Sequence, residues 1–353
     1  MQPAHLLGDG LVTQLRGAAA RPDMDLSAAG WLDQTGRFVA EAGYLFGSDI
    51  GGTKVQSVLT DLNGDVLAEC RSETPASGGD AVLDLIAAHL AQMTAGTPGV
   101  VRAAGFGLPG AVHPVTGMLD RAPNLSGFAG HNMRAVLSER LNMPVVVEND
   151  VNFAALGETW LGHGSSADVL TGGLAFVALG TGIGMGLAWG DRILRGAQGA
   201  AGEIAALPIG ADPSDQKTHA CGALESVVSG AALVADYRAS GGRHPGHTLR
   251  EISKNTDDDP AFNLVMERLA QRTAQAVLAV DSVVNPALFV FGGGIGSQPA
   301  LLERITAELA RIMPNGMPVP DCRVSQLGNR AGVIGAVRAA RLTYADVLAG
   351  AYP

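Results

Sequence analysis

The chain has 353 residues, 47% of them apolar, and a formal net charge of −10; that length fits about two domains at the usual ~100–200 residues each. With so acidic a balance and no dense run of Lys or Arg, nucleic acid and anionic membranes are poor candidates for the main partner, since both are held by clustered cations. Only Cys70, Cys221 and Cys322 occur, no stretch reaches the ~18 apolar residues of a membrane span, and the N-terminus has no basic start followed by an apolar core, so a reducing, cytoplasmic setting is expected.

Residues 1–43 precede the first expected strand. They offer one short helix, near Leu11 to Ala19, and Arg16, Arg21 and Arg37 are too few for a DNA-binding face. A buried strand from Tyr44 to Ser48 opens onto Asp49-Ile50-Gly51-Gly52-Thr53-Lys54. Alternation from Val55 to Thr60, a turn at Asp61-Leu62-Asn63-Gly64 and a return from Val66 to Arg71 predict a hairpin. Val82, Leu83, Ile86, Leu90 and Met93 recur at helical spacing and predict a helix over Asp80 to Met93. Strands follow at Val100 to Phe106 and at Pro144 to Val147, the second ending in Glu148-Asn149-Asp150 before a helix through Trp160. This alternation implies a mostly parallel sheet covered on both faces. The cycle restarts with strands Leu174 to Leu179 and Met185 to Trp189, joined by Gly180-Thr181-Gly182-Ile183-Gly184. A third run, Gly292-Gly293-Gly294-Ile295-Gly296, follows the strand from Ala287 to Val290. The restart is an internal repeat of architecture and points to two similar halves facing a cleft.

Glycine at a strand end lets backbone N–H groups approach an anion with no Cβ in the way. A single run is weak, because 48 of the 353 residues are glycine. Gly105-Phe106-Gly107-Leu108-Pro109-Gly110 matches GxGxxG, yet Pro109 and the following Ala111-Val112-His113-Pro114 open no helix to hold a pyrophosphate. A P-loop fails as well, since Lys54 follows Thr53 where Gly-Lys-Ser/Thr is needed.

The chemistry is expected at Asp150, just past the carboxyl end of an apolar strand, where open α/β sheets place their ligands. A carboxylate there can take the proton of a substrate hydroxyl that attacks a phosphoryl group, and Asn149 can hydrogen-bond a second hydroxyl. The competing role for Asp150 is to cap the helix that follows.

In order and content, the three glycine runs resemble those of the actin-like ATPase and sugar kinase superfamily. The resemblance implies an α/β fold of two actin-like ATPase (ribonuclease H-like) domains facing an interdomain cleft. Glu148-Asn149-Asp150-Val151-Asn152, Gly199-Ala200-Ala201-Gly202-Glu203-Ile204, Gly107-Leu108-Pro109-Gly110, Pro123-Asn124-Leu125 and Leu224-Glu225 together resemble the ROK family of repressors, open reading frames and sugar kinases. That likeness runs from about Tyr44 to a last helix near Ala340. It implies an N-terminal extension over 1–43, a small domain over 44–157 plus 331–347, and a large domain over 158–330. It makes Asp150 the catalytic base, with Asn124, Asn149, Glu203 and Glu225 on the sugar. Asp49, Gly51, Gly52, Thr53, Thr181, Gly182 and Gly184 would handle phosphate and magnesium, with Asp49 on the metal, and Gly292, Gly293 and Gly294 would face the adenosine. ATP and Mg²⁺ are the implied cofactors, a sugar and a nucleotide the partners, and a homodimer the assembly.

The chain departs from the family pattern in one region. The family usually has His three residues after the Glu matching Glu203, then a zinc-binding CxCGxxGCxE cluster. Here the His position is Ala206, and the cluster is reduced to His219-Ala220-Cys221-Gly222-Ala223-Leu224-Glu225. Structural zinc wants four ligands, so no zinc is expected. Gly36-Arg37-Phe38 through Gly47 resembles the join between DNA-binding and sugar-binding parts in ROK repressors, although 1–43 is too short for a full winged helix-turn-helix domain. The expected activity is ATP-dependent phosphorylation of a glucose-like hexose to its 6-phosphate; the alternative is a sugar-sensing regulator or pseudokinase.

Overall fold

The computed structural model describes residues 30–35, 37–120, 127–244, 246–247, 249–252 and 259–352. The helix expected near Leu11 to Ala19, and Asn124, lie outside them. The chain divides into two compact units: the first takes the described parts of Met1–Trp160, Arg195–Gly199 and Arg330–Pro353, and the second those of Leu161–Leu194 and Ala200–Asn329.

The first unit contains β1 (Tyr44–Ile50), β2 (Lys54–Asp61), β3 (Val66–Glu73), α1 (Gly79–Thr94), β4 (Val101–Leu108), β5 (Ala111–Val112), β6 (Leu119–Asp120), α2 (Met133–Leu141), β7 (Val145–Asn149) and α3 (Asp150–Leu161). In the second lie β8 (Leu174–Leu179), β9 (Ile183–Trp189), β10 (Arg192–Ile193), α4 (Gly230–Ala239), α5 (Pro260–Val283), β11 (Leu288–Gly292), α6 (Pro299–Ile312) and β12 (Cys322–Val324). The last helix, α7 (Ala331–Leu348), returns to the first unit.

The two large sheets share one plan. Their orders are β3-β2-β1-β4-β7 and β10-β9-β8-β11-β12, so β8 stands in its unit where β1 stands in the other. The expectation of a mostly parallel sheet is corrected: β1–β2, β2–β3, β8–β9 and β9–β10 pair antiparallel, while β1–β4, β4–β7, β8–β11 and β11–β12 pair parallel. The first and second glycine runs join adjacent antiparallel strands, β1–β2 and β8–β9, the third follows β11, and the parallel pairs are made by chain returning through helices, as crossover connections require.

Alternation along the strands puts a helix on each face of the first sheet. Phe46, Ala104 and Phe106 pack with Val82, Leu83 and Ile86 of α1. On the other face α7, buried almost throughout from Ala331 to Arg341, lies so close to the strands that a Cβ added to Gly105 would sit 2.0 Å from the Ala336 carbonyl oxygen. The second unit buries the α5 stripe Val265, Leu269 and Val277 with Val177, Phe289 and Phe291 of its sheet. Helix α5 begins at Pro260 behind Asp259, whose carboxylate accepts from the N–H groups of Ala261 and Phe262. Part of the N-terminal segment also joins the first unit. Phe38 is buried and trades backbone bonds with the Asn63 amide, each 3.0 Å, and Arg102 lies over the Trp31 ring.

Candidate active site

In the first unit, three residues line up across the parallel strands: Asp49 of β1 pairs with Gly107 of β4, and Gly107 with Glu148 of β7. Asp150 follows two residues later as the first residue of α3. Gly107 separates the two aspartates: a Cβ there would lie 3.3 Å from Asp49 Oδ1 and 3.5 Å from the Asp150 Cα. Asp49 also lies against the start of α7, with its Oδ2 3.0 Å from the position a Cβ would take on Gly332. Burial, and secondarily the charge of Asp150, push the Asp49 carboxyl up to about 7. Two carboxylates crowded in this way suit a hard cation, which binds oxygen donors and relieves their repulsion. Beyond Asp49, the first glycine turn is closed by the Gly51 N–H donating to the Lys54 carbonyl at 2.8 Å and by the Thr74 hydroxyl donating to the Gly51 carbonyl at 2.6 Å. Gly52 and Thr53 are exposed at its tip.

The capping alternative for Asp150 falls mainly to its neighbour. Asn149 Oδ1 accepts from the N–H groups of Val151 and Asn152 at 2.9 and 3.1 Å, and its Nδ2 donates to the Gly110 carbonyl at 2.9 Å. Asp150 Oδ1 shares the Val151 N–H at 2.9 Å. One Asn149 amide hydrogen is therefore left for a ligand hydroxyl. Behind them Glu148 is almost fully buried, its Oε1 accepting from the Asn149 N–H and from Asn152 Nδ2, each at 3.0 Å. Its Oε2 accepts from Arg195 Nε. Arg195 carried no local sequence signal, since it meets its partner 47 residues away.

The second unit assembles the other two glycine runs around β8. Ala178 pairs with Gly184 on one side and with Gly292 on the other. Gly184 and Gly292 thus lie in β9 and β11, while Thr181 and Gly294 are exposed outside the strands. The third glycine run forms a single helical turn over Gly293–Gly296. A Cβ on Gly180 would be 3.6 Å from the Gly294 nitrogen, so these loops adjoin. Glu225 lies on the Gly180–Gly184 loop: its Oε2 accepts from the Ile183 N–H at 2.9 Å.

Glu203 is exposed at the head of the short 3₁₀ turn Ile204–Ala206. The glycines of Gly199-Ala200-Ala201-Gly202-Glu203 have a steric reason. Gly199 and Gly202 adopt φ of +75° and +91°, and a Cβ on them would meet the carbonyl oxygens of Val112 and Met185 at 2.3 and 2.2 Å. His219 and Cys221 are exposed, and Gly222 folds back so closely that its Cβ would lie 2.2 Å from the Ala205 carbonyl oxygen. Among the described residues, no group of three or more His, Cys, Asp and Glu is arranged to hold a metal ion.

Comparison with known proteins gives these features a family. A glucokinase of Halalkalibacterium halodurans is 30% identical over 311 residues, 82% of this chain and 92% of that one. An N-acetyl-D-glucosamine kinase of Escherichia coli is 28% identical over 303 residues, 82% of this chain and 97% of its own. The structure of a ROK family glucokinase from Streptomyces griseus in complex with glucose and AMPPNP superposes with a TM-score of 0.72 at 29% identity, covering 85% of this chain and all of that one. The ROK family profile matches residues 45–342, and with the shared actin-like ATPase fold it establishes that this chain belongs to the ROK family, among relatives that are sugar kinases.

Proposed function

We propose that the protein transfers the γ-phosphoryl group of ATP to the 6-hydroxyl of glucose or a closely related hexose. The observation that carries this reading is Asp150, held at the end of β7 beside Asp49 by a cap that Asn149 supplies. In the reaction the Asp150 carboxylate accepts the proton of the 6-hydroxyl as that oxygen bonds to phosphorus, and the bond from phosphorus to the β–γ bridging oxygen breaks to release ADP. Asn149, Glu203 and Glu225 hold further sugar hydroxyls, and Asn124 is assigned to the same side. Asp49 would hold Mg²⁺ with the nucleotide, which supplies charge neutralisation on the transferring phosphates. Gly51, Gly52 and Thr53, with Thr181, Gly182 and Gly184, serve the phosphates, and Gly292, Gly293 and Gly294 the adenosine. The Glu148–Arg195 pair fixes the strand end from which Asp150 projects. No zinc enters this reading, and Ala206 has no polar side-chain group where the family has His, so that sugar contact is absent and both glucose and N-acylated hexosamines belong in the test.

The test is a coupled ADP-release assay across a panel of hexoses and N-acetylhexosamines, with Asp150→Asn in parallel. Turnover should appear with glucose or a near relative, and the variant should lose more than nine-tenths of kcat while sugar affinity stays within about tenfold, since Asn keeps the shape but cannot take the proton. Sugar binding without nucleotide binding or product would instead indicate a sugar-sensing regulator.

A further inference from the structure

We propose that Glu225 is a positioning residue for the Gly180–Gly184 loop, so that one carboxylate links the sugar to the phosphate-binding backbone. The inference rests on the kinase reading above and adds to the sugar contact assigned there. Glu225 Oε2 accepts from the Ile183 N–H at 2.9 Å. Its carboxylate also presses its Oε2 side against Gly182, where a Cβ would come within 2.2 Å of Oε2, 2.9 Å of Cδ and 3.3 Å of Oε1. The same segment grips the loop a second time, because the Gly230 N–H donates to the carbonyls of Gly180 and Thr181 at 3.0 and 3.3 Å. The loop is thus held at its crown by the Glu225 side chain and at its base by the Gly230 backbone.

A carboxylate has two oxygens and about four lone-pair directions. With Oε2 on Ile183, Oε1 can accept from a sugar hydroxyl without releasing the loop. A sugar on Oε1 locks the Glu225 side chain and with it the loop, which lowers the ordering cost of the next ligand. Occupancy of one ligand then raises affinity for the other, and the effect is reciprocal. Gly182 follows from the same geometry: it bears no Cβ because the carboxylate occupies that space.

The experiment measures Mg·AMPPNP affinity by calorimetry, with and without glucose, in the wild type, Glu225→Ala, Glu225→Gln, Gly182→Ala and the double variant Gly182→Ala/Glu225→Ala. Without sugar, Glu225→Ala should bind Mg·AMPPNP about tenfold or more weaker, since a charge-assisted bond is lost and the Ile183 N–H is left without its acceptor. Glu225→Gln, whose amide oxygen can still accept, should stay within about threefold. Gly182→Ala pushes the carboxylate off Ile183 and should weaken binding to a similar degree. In the double variant the two losses should not add, because the group that the new methyl displaces is already gone. Glucose should tighten nucleotide binding in the wild type and not in Glu225→Ala. If Glu225 contacts only sugar, Glu225→Ala binds Mg·AMPPNP as the wild type does in the absence of glucose, and the proposal is overturned. Additive losses in the double variant overturn it too. A wild-type protein that binds no Mg·AMPPNP at all overturns the kinase reading and the proposal with it, a result distinct from either of these.

Discussion

Asn149 and Asp150 divide between them what the start of α3 demands and what the proposed chemistry demands. Asn149 spends its carbonyl on the helix N–H groups of Val151 and Asn152, and Asp150 shares the first of them. His89 poses a different problem, a titratable ring inside the apolar stripe of α1. It is buried, with Ser57 Oγ 2.9 Å from Nδ1 and Ser72 Oγ 2.8 Å from Nε2, and Ser57 in turn is 3.0 Å from Ser48 Oγ. Hydroxyls can donate or accept, so the neutral imidazole satisfies both nitrogens. Desolvation holds its pKa below the usual histidine value, so protonation favours the unfolded chain. The stabilisation is present above the unfolded value of roughly 6.5 and is lost as pH falls below it towards the folded value. Asp49, raised to about 7, contributes the opposite slope between its unfolded and folded values. Comparison with His89→Gln, which keeps a donor and an acceptor but does not titrate, cancels that background. The wild type should lose more urea resistance than His89→Gln on going from pH 7.5 to 5.5, and equal losses would refute the assignment.

Helix α7 shows how one element organises a unit from the far end of the chain. Glycine inside a helix ordinarily costs stability, so Gly332 and Gly335 within Ala331–Leu348 need a compensating contact. Gly335 has one: a Cβ there would lie 1.7 Å from the Phe153 carbonyl oxygen of α3, and backbone cannot swing aside as a side chain can. Gly335→Ala should therefore destabilise the protein by at least the ~1–3 kcal/mol typical of overpacking, seen as a melting temperature lower by several degrees, with lost activity because α3 begins at Asp150. An unchanged melting temperature would show that the helices are not in this close contact.

Two units built on one sheet plan carry different parts of the proposed machinery. Asp49, Asn149 and Asp150 belong to the first, and Glu203, Glu225 and the second and third glycine runs to the second. A ligand that binds the native chain and not the unfolded one stabilises it by mass action. Mg·ATP should do so by about 2.7 kcal/mol at a hundred times its Kd, with a further rise in melting temperature when glucose is added. A zinc chelator in the same experiment should leave the melting temperature unchanged. No response to Mg·ATP, or a fall with the chelator, would contradict the assignment.

Strand positions, glycine runs and the placing of Asp150 at a strand end were legible in the residue order, because apolar runs and chain breakers act over a few neighbouring residues. The hairpin of β2 and β3 and helix α1 lie within two residues of where periodicity puts them. Apart from that hairpin, the direction of the strand pairings was not legible: a buried run reads alike in parallel and antiparallel ladders, and direction depends on how the chain returns. Nor does any local pattern say which cation neutralises Glu148 or which N–H a carboxylate will hold. Arg195 and Glu148 are 47 residues apart, and Glu225 and Ile183 are 42. Those choices were made only when the units folded, since ion pairs and hydrogen bonds are selected by distance in space, and it is there that the end of β7 and the Gly180–Gly184 loop acquired their supports.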